Sequence, residues 1–293
     1  MVHPLHRKQK EEDRNMTDLF GHSSLKEQYG ANPFSVFDTN NRDWKLHRQL
    51  WLNKGILPPL MPIKQRSMVN FDDDNFVKTT STFDPYLCEL IYRWFCPENG
   101  TVLDPFCGGS VRGIVAQKLG YHYTGIDIRQ DQIDSDIEQS ERILGRNIPE
   151  YICGDSDSVL DSRDRWEFNF DMLFTCPPYW NLEVYSDDDR DLSTLSWKDF
   201  LQKYRSIIKK SCRLIKHGAF AVIVVGEVRN RSGYYAGLVP ETIKAFLDAG
   251  MVYWNEAVLL TPYVNASKRV SSSMKNKKLV KVHQNVLIFK RKK

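Results

Sequence analysis

The sequence predicts an α/β fold: a mostly parallel central sheet, helices on both faces, and an antiparallel hairpin at one edge. Three observations predict it. Apolar runs of strand length alternate with segments of helical spacing from residue 84 to the C-terminus. The run Ala219 to Val225 is continuously apolar, as strands covered on both faces are. Glycines and carboxylates stand at the ends of several runs, where open parallel sheets bind their ligands.

Taken in order, residues 1–30 are polar and charged, with little periodicity, and are expected to be mobile or ordered only by a partner. Residues 31–75 carry Phe34, Phe37, Trp44, Trp51 and Pro58-Pro59. They read as an aromatic-rich extension that packs on the main domain, with one helix around 41–54. A composition shift at Asp72-Asp73-Asp74 ends this N-terminal extension (1–75) and opens the main domain (76–293). Asp84 suits a helix N-cap and Pro85 the first helical position, followed by Leu87, Leu90, Ile91 and Phe95 at helical spacing. Thr101-Val102-Leu103 reads as a buried strand. Helix 110–119 ends at Gly120, where a C-terminal cap belongs. Strand Tyr121 to Ile126, a helix through Ile133, Ile137 and Leu144, strand Tyr151-Ile152-Cys153 and strand 171–174 follow. Ser196 and Asp199 resemble a capping box opening a helix with Phe200, Tyr204, Ile207 and Ile208 on one face. Strand 219–225 and helix 240–249 come next. Strands 252–260 and 284–290 close the chain, joined by a basic loop, 261–283.

The chain has 293 residues, 41% of them hydrophobic, which suits a globular protein. It lacks an apolar run approaching the roughly 20 residues of a membrane span, and its first residues lack a signal core. A cytoplasmic protein is the expectation. The six cysteines are scattered without a Cys-x-x-Cys pair, which argues against a zinc site and a disulfide framework; no metal is expected. Net charge is +4, and Glu256 is the last acidic residue. Beyond it lie Lys268, Arg269, Lys275, Lys277, Lys278 and Lys281, then a basic tail from Lys290. This cluster between two strands points to a polyanion.

Four motifs fall at strand ends. Asp104-Pro105-Phe106-Cys107-Gly108-Gly109-Ser110 turns from strand to helix, with glycines that let backbone approach a ligand. A dinucleotide fingerprint would need a glycine where Ser110 stands, which disfavours NAD and FAD. Asp127 ends the next strand, at the spacing of a carboxylate that accepts ribose hydroxyls. Asp155 follows the third strand. Thr175-Cys176-Pro177-Pro178-Tyr179-Trp180 follows the fourth. Prolines fix a backbone carbonyl as an acceptor by locking their own φ.

Together, Asp-Pro-Phe-x-Gly-Gly-Ser-Val-Arg-Gly at 104–113, Cys-Pro-Pro-Tyr at 176–179 and His-Gln-Asn-Val-Leu at 283–287 resemble the DNA amino-methyltransferases, specifically phage- and prophage-type DNA methylases. The likeness covers roughly residues 80–290. It implies a Rossmann-like methyltransferase fold, S-adenosylmethionine as cofactor, and methylation of an exocyclic amine of a flipped base in double-stranded DNA. It also implies a bacterial or phage-infected host cell. By resemblance Phe83 and Pro85, the loop Asp104 to Ser110, Asp127 and Asp155 hold the cofactor, Asp155 accepting from the adenine amine. Pro177 offers its carbonyl to the target amine, and Tyr179 stacks on the flipped base. The family usually has Asp, Asn or Ser where Cys176 stands, and a thiol accepts weakly; Thr175 is the residue that could compensate. The small residue before the prolines leans toward cytosine N4 rather than adenine N6. The short span between the two motifs leaves no room for a large recognition domain. Recognition then falls to 261–283 and 31–75, with a short or relaxed target or a second subunit, as in a homodimer. An RNA-base methyltransferase and a catalytically silent nucleic-acid-binding module stay open beside this reading.

Overall fold

The helix signals in the sequence act where they stand. In the computed structural model, which describes residues 25–60, 82–162, 166, 170–261 and 264–293, Asp84 accepts hydrogen bonds from the amides of Tyr86 and Leu87 at 3.0 and 3.1 Å. Helix Pro85–Phe95 begins there and buries Leu87, Leu90 and Ile91. Ser196 likewise accepts from the Asp199 amide at the start of helix Trp197–Leu214, whose Phe200, Tyr204, Ile207 and Ile208 are buried.

The chain divides into two units, Met1–Ser35 and Val36–Lys293. In the first, the described residues form one short helix, α1 (Leu25–Tyr29). The second holds β1 (Val36–Asp38), α2 (Arg42–Leu52), α3 (Pro85–Phe95), β2 (Thr101–Asp104), α4 (Val111–Lys118), β3 (His122–Asp127), α5 (Gln130–Leu144) and β4 (Glu150–Cys153). There follow α6 (Ser156–Val159), β5 (Phe170–Thr175), α7 (Trp197–Leu214), β6 (Ile215–Val225), α8 (Leu238–Asp248), β7 (Met251–Leu260), α9 (Val264–Lys275) and β8 (His283–Arg291). The Asp72–Asp74 boundary and most of residues 1–30 lie outside the described residues. Residues 36–60, read from sequence as part of an extension, supply β1 and α2 to the second unit. Trp44 and Trp51 fasten α2 through their indole N–H groups, which donate to Asp84 at 2.9 Å and Glu89 at 2.7 Å on α3.

The eight strands form one sheet in the order β1-β7-β8-β6-β5-β2-β3-β4. β8 is antiparallel to both neighbours and the other described pairings are parallel. β7 and β8 make the expected hairpin, with β1 added outside it. Ala221 to Val225 of β6 are fully buried, consistent with their unbroken apolar run. Strands β2, β3, β5, β6 and β7 all run the same way, α8 crossing over from β6 to β7. Their carboxyl ends therefore share one edge, and the β7–β8 connection leaves from that edge as well.

The segment between β7 and β8 differs from the expectation. The basic segment 261–283 contains a helix, α9, rather than only loop. Its Ser271-Ser272-Ser273 run lowers helix propensity, and its Val270 and Met274 are each 45% exposed. An apolar stripe so slightly buried leaves a weak periodic signal.

Candidate active site

Parallel pairing of β2 with β5, Leu103 opposite Leu173, sets the glycine loop beside the Pro-Pro loop. A hydrogen bond joins them: Thr175 Oγ1 donates to Asp104 Oδ1 at 2.5 Å. Asp104 is fully buried, and its other oxygen accepts from Arg112 Nε at 2.5 Å and Tyr123 Oη at 2.7 Å. Arg112 in turn donates to the carbonyls of Phe106 and Cys107 at 2.9 and 2.8 Å, and lies 4.6 Å from the Phe83 ring centroid. This carboxylate–guanidinium pair holds the glycine loop from beneath. Thr175, only 1% exposed, spends its hydroxyl proton on that pair. The thiol of Cys176 is therefore the side chain next to Pro177.

The loop itself has the backbone its glycines permit. Gly108 has φ +50°, and a Cβ built there meets no heavy atom within 4 Å, so this face of the loop is open. At Gly109 the space is taken: a Cβ would sit 2.8 Å from Pro59 Cβ. The segment around Pro59 is tied down, since the amides of Leu57 and Leu60 donate to Gln139 and Gln132 of α5 at 2.6 and 2.9 Å. Ser110 opens α4 without a side-chain cap, and its Oγ is buried with no hydrogen-bond partner. Cys107 is buried, and burial pushes its thiol up well above the ordinary value. Asp136 of α5 is buried too. Burial lifts its carboxyl to about 8, against the opposing pull of Gln132, which donates to it at 2.8 Å, and the Ser110 amide.

Asp127 ends β3 next to this loop. Its Oδ2 accepts from the Gly108 amide at 3.0 Å and its Oδ1 from the Arg129 amide at 2.9 Å. Burial raises its carboxyl to about 6, the two amides and Arg129 opposing. Asp155 caps α6 and pairs with Lys203 at 3.0 Å. Lys203 also donates to the Arg190 carbonyl at 2.6 Å. The acidic loop 187–191 thus organises itself. Arg190 pairs with Asp188 at 2.6 Å, and buried Asp191 accepts from Ser186 and Ser193.

At the Pro-Pro loop, Tyr179 is half-buried. Its hydroxyl accepts from Gln284 Nε2 of β8 at 2.7 Å and lies 3.8 Å from Cys176 Sγ. Its ring packs on Gly226 just past β6, where a Cβ would come within 3.1 Å of Cε2. Burial raises the Cys176 thiol, with Arg112 opposing, so the group stays protonated. Trp180, at φ +49°, donates to the Leu195 carbonyl at 3.1 Å. Glu227 holds the chain after β6: its Oε1 accepts from the amides of Val228, Gly237 and Leu238 at 3.1, 2.9 and 2.9 Å. Lys281 is near enough for Glu227 to raise its ammonium, although burial lowers it more.

The structure thus brings Phe83, the glycine loop, Asp127 and the Pro-Pro loop to one edge of the sheet. Asp104 lies beneath that edge and Asp155 is already engaged. Lys268, Arg269 and Lys275 lie on α9 and Lys277 just beyond it, all exposed. Lys278 and Lys281 are half-buried. Sequence reasoning missed Arg112, Gly226 and Gln284; the last stands in the His-Gln-Asn run that the resemblance itself used. Among the described residues, no group of three or more His, Cys, Asp or Glu could hold a metal ion, and no helix is long and apolar enough to cross a membrane.

An S-adenosyl nucleoside fits what is present: an open glycine backbone at Gly108 and, beside it, a carboxylate at a strand end. The TrmN structure from Thermus thermophilus is similar at 15% identity and a TM-score of 0.48, over 72% of this chain. This chain spans about half the length of TrmN (50%). Magnesium protoporphyrin IX methyltransferase (ChlM) from Synechocystis PCC 6803, solved with bound SAM, is 12% identical over 71% of this chain and 79% of its own, with a TM-score of 0.45. TehB from Haemophilus influenzae is 14% identical over 73% and 64%, with a TM-score of 0.43. A family model described as DNA methylase, N6_N4_Mtase, matches residues 3–139, a span that contains the glycine loop and Asp127 and ends before the Pro-Pro loop. That match supports the resemblance read from the motifs, an S-adenosylmethionine-dependent DNA amino-methyltransferase of the N6 or N4 type.

Proposed function

We propose that this chain methylates an exocyclic amine of a base swung out of duplex DNA, with cytosine N4 as the target. The observation that carries the proposal is the Thr175–Asp104 hydrogen bond, which locks the Pro-Pro loop to the glycine loop. Two motifs from separate strands then act as one site.

Asp127 and the Gly108 backbone would hold the cofactor, Asp127 by accepting ribose hydroxyls. When bound, S-adenosylmethionine supplies an electrophilic methyl group on a sulfonium. The chain's own residues handle the nucleophile. An exocyclic amine is weakly nucleophilic because its lone pair is delocalised into the ring. The Pro177 carbonyl would accept a hydrogen bond from one amine N–H and draw the nitrogen toward tetrahedral geometry, fixed placement would supply much of the rest, and the proton released by the methylated nitrogen would pass to solvent. Cys176 contributes little as a second acceptor. The Tyr179 ring, held at its hydroxyl by Gln284 and at its edge by Gly226, offers a fixed face for the base. The small side chain before the prolines supports cytosine over adenine.

The test is nucleoside mass spectrometry of mixed-sequence duplex DNA incubated with methyl-labelled S-adenosylmethionine, with Tyr179→Ala alongside. Label on cytosine N4, lost in the variant, is expected. Label on adenine N6 would correct the base. No label on DNA with cofactor bound would overturn the reading.

A further inference from the structure

The chain between Gly226 and Leu238 makes an excursion at the motif-bearing edge, and residues 229–236 of it take no part in the site described above. Both of its ends are pinned, because the Glu227 carboxylate accepts from amides at 228 and at 237–238. Between them is a tight hairpin. Arg229 pairs with Tyr235 as an antiparallel bridge, and the Ala236 amide donates to the Val228 carbonyl at 2.9 Å. The turn closes with Asn230 N to Tyr234 O and Gly233 N to Asn230 O, each 2.8 Å, and with Gly233 at φ +78°. The Arg229 guanidinium stacks 4.1 Å from the Tyr235 ring centroid and donates to the Gly233 carbonyl at 3.0 Å.

So braced, the hairpin turns apolar surface to solvent. Tyr234 is 70% exposed and Tyr235 52%. Arg231 is exposed at the tip. Lys278 Nζ lies in the space a side chain at Gly233 would need, which joins the hairpin to the basic segment after α9. Gly226, the residue that leads into it, touches the Tyr179 ring. Rigid aromatic faces interleaved with cations are the pattern that binds a nucleic-acid strand: rings stack on bases, and cations meet phosphates. A protein partner would gain less from the clustered positive charge.

We propose that the 228–236 hairpin is a DNA-binding element that grips the strand beside the target base, Tyr234 stacking on a base and Arg231 with Lys278 meeting phosphate. It rests on the DNA reading of the catalytic site.

The experiment pairs duplex binding, by fluorescence anisotropy at several salt concentrations, with methyl transfer to the same duplex and calorimetric binding of S-adenosylmethionine. Tyr234→Ala, Tyr234→Phe and Arg231→Gln are compared with the wild type. Tyr234→Ala is expected to weaken duplex binding about tenfold or more, as lost base stacking does, and Tyr234→Phe to restore it. Arg231→Gln is expected to lower the slope of log K against log salt by about 1. Cofactor affinity should not change in any of them. If both Tyr234→Ala and Arg231→Gln bind and methylate DNA as the wild type does, the hairpin proposal is overturned while the catalytic reading stands. If the wild type neither binds nor methylates DNA, the catalytic reading fails first and takes the hairpin with it.

Discussion

Asp104 shows how one buried side chain can tie two motifs together. Both oxygens are occupied by Thr175, Arg112 and Tyr123 in a site closed to solvent. Removing one partner of a buried ion pair costs about 3–5 kcal/mol. Asp104→Asn should therefore lower the melting temperature strongly, and Thr175→Ser, which keeps the hydroxyl, should not. Asp127 is different, since on the proposed reading it faces the cofactor. Burial raises its carboxyl to about 6, and on the proposed reading the ionised form accepts the ribose hydroxyls. Affinity for S-adenosylmethionine should fall as pH drops through about 6. Asp127→Asn should bind weakly and show no such dependence between pH 5 and pH 7, titration calorimetry being the check. Gln284 donates to the Tyr179 hydroxyl at 2.7 Å, and on the proposed reading it positions that ring. Gln284→Ala should lower kcat by roughly tenfold, the weight of one positioning contact, with KM for cofactor unchanged and Gln284→Glu restoring part of the loss.

At the scale of elements, Asp136 is buried on α5, where it accepts from Gln132 of the same helix and leaves its Oδ2 without a hydrogen-bond partner among the described residues. Its carboxyl is raised to about 8, so the folded protein binds a proton there that the unfolded chain has released at neutral pH. That contribution to stability is whole below the ordinary carboxylate value and is lost as pH rises through about 8. The melting temperature should therefore fall between pH 6 and pH 9, and Asp136→Asn should flatten the fall. A profile that is flat in the wild type would refute the assignment. Gly109 packs against Pro59, so Gly109→Ala would have to displace the 57–60 segment from α5. Weaker cofactor binding and faster proteolysis after residue 52 are the expected signs.

Across the whole molecule, charge and chemistry share an edge. β7 ends and β8 begins on the side where β2, β3 and β5 present their motifs. The segment carrying the basic residues 268–281 connects β7 and β8 and so leaves from that edge. Charge reversal of Lys275, Lys277 and Lys278 should weaken duplex binding and reduce its salt slope by several units, since each phosphate contact contributes about 0.9. An unchanged salt slope would separate this surface from DNA.

Sequence alone determined the strand–helix alternation, the caps at Asp84 and Ser196, the glycine loop and the Pro-Pro loop. These are local signals: apolar period, side chains that bond the next turn, and residues whose backbone freedom or rigidity is intrinsic. The antiparallel hairpin was legible too, because two strands met without a long periodic crossover. Tertiary structure decided the rest. It alone shows that Thr175 bonds Asp104 across a strand pair, that Gln284 reaches Tyr179 from a strand distant in sequence, and that Pro59 lies over Gly109. Each contact joins residues far apart in the chain, and no local pattern encodes it. The same holds for β1, three residues that are a strand only because β7 offers them an unpaired edge. Helix α9 and the hairpin at 228–236 stayed hidden for another reason: they bury little apolar surface, and burial is what writes periodicity into a sequence.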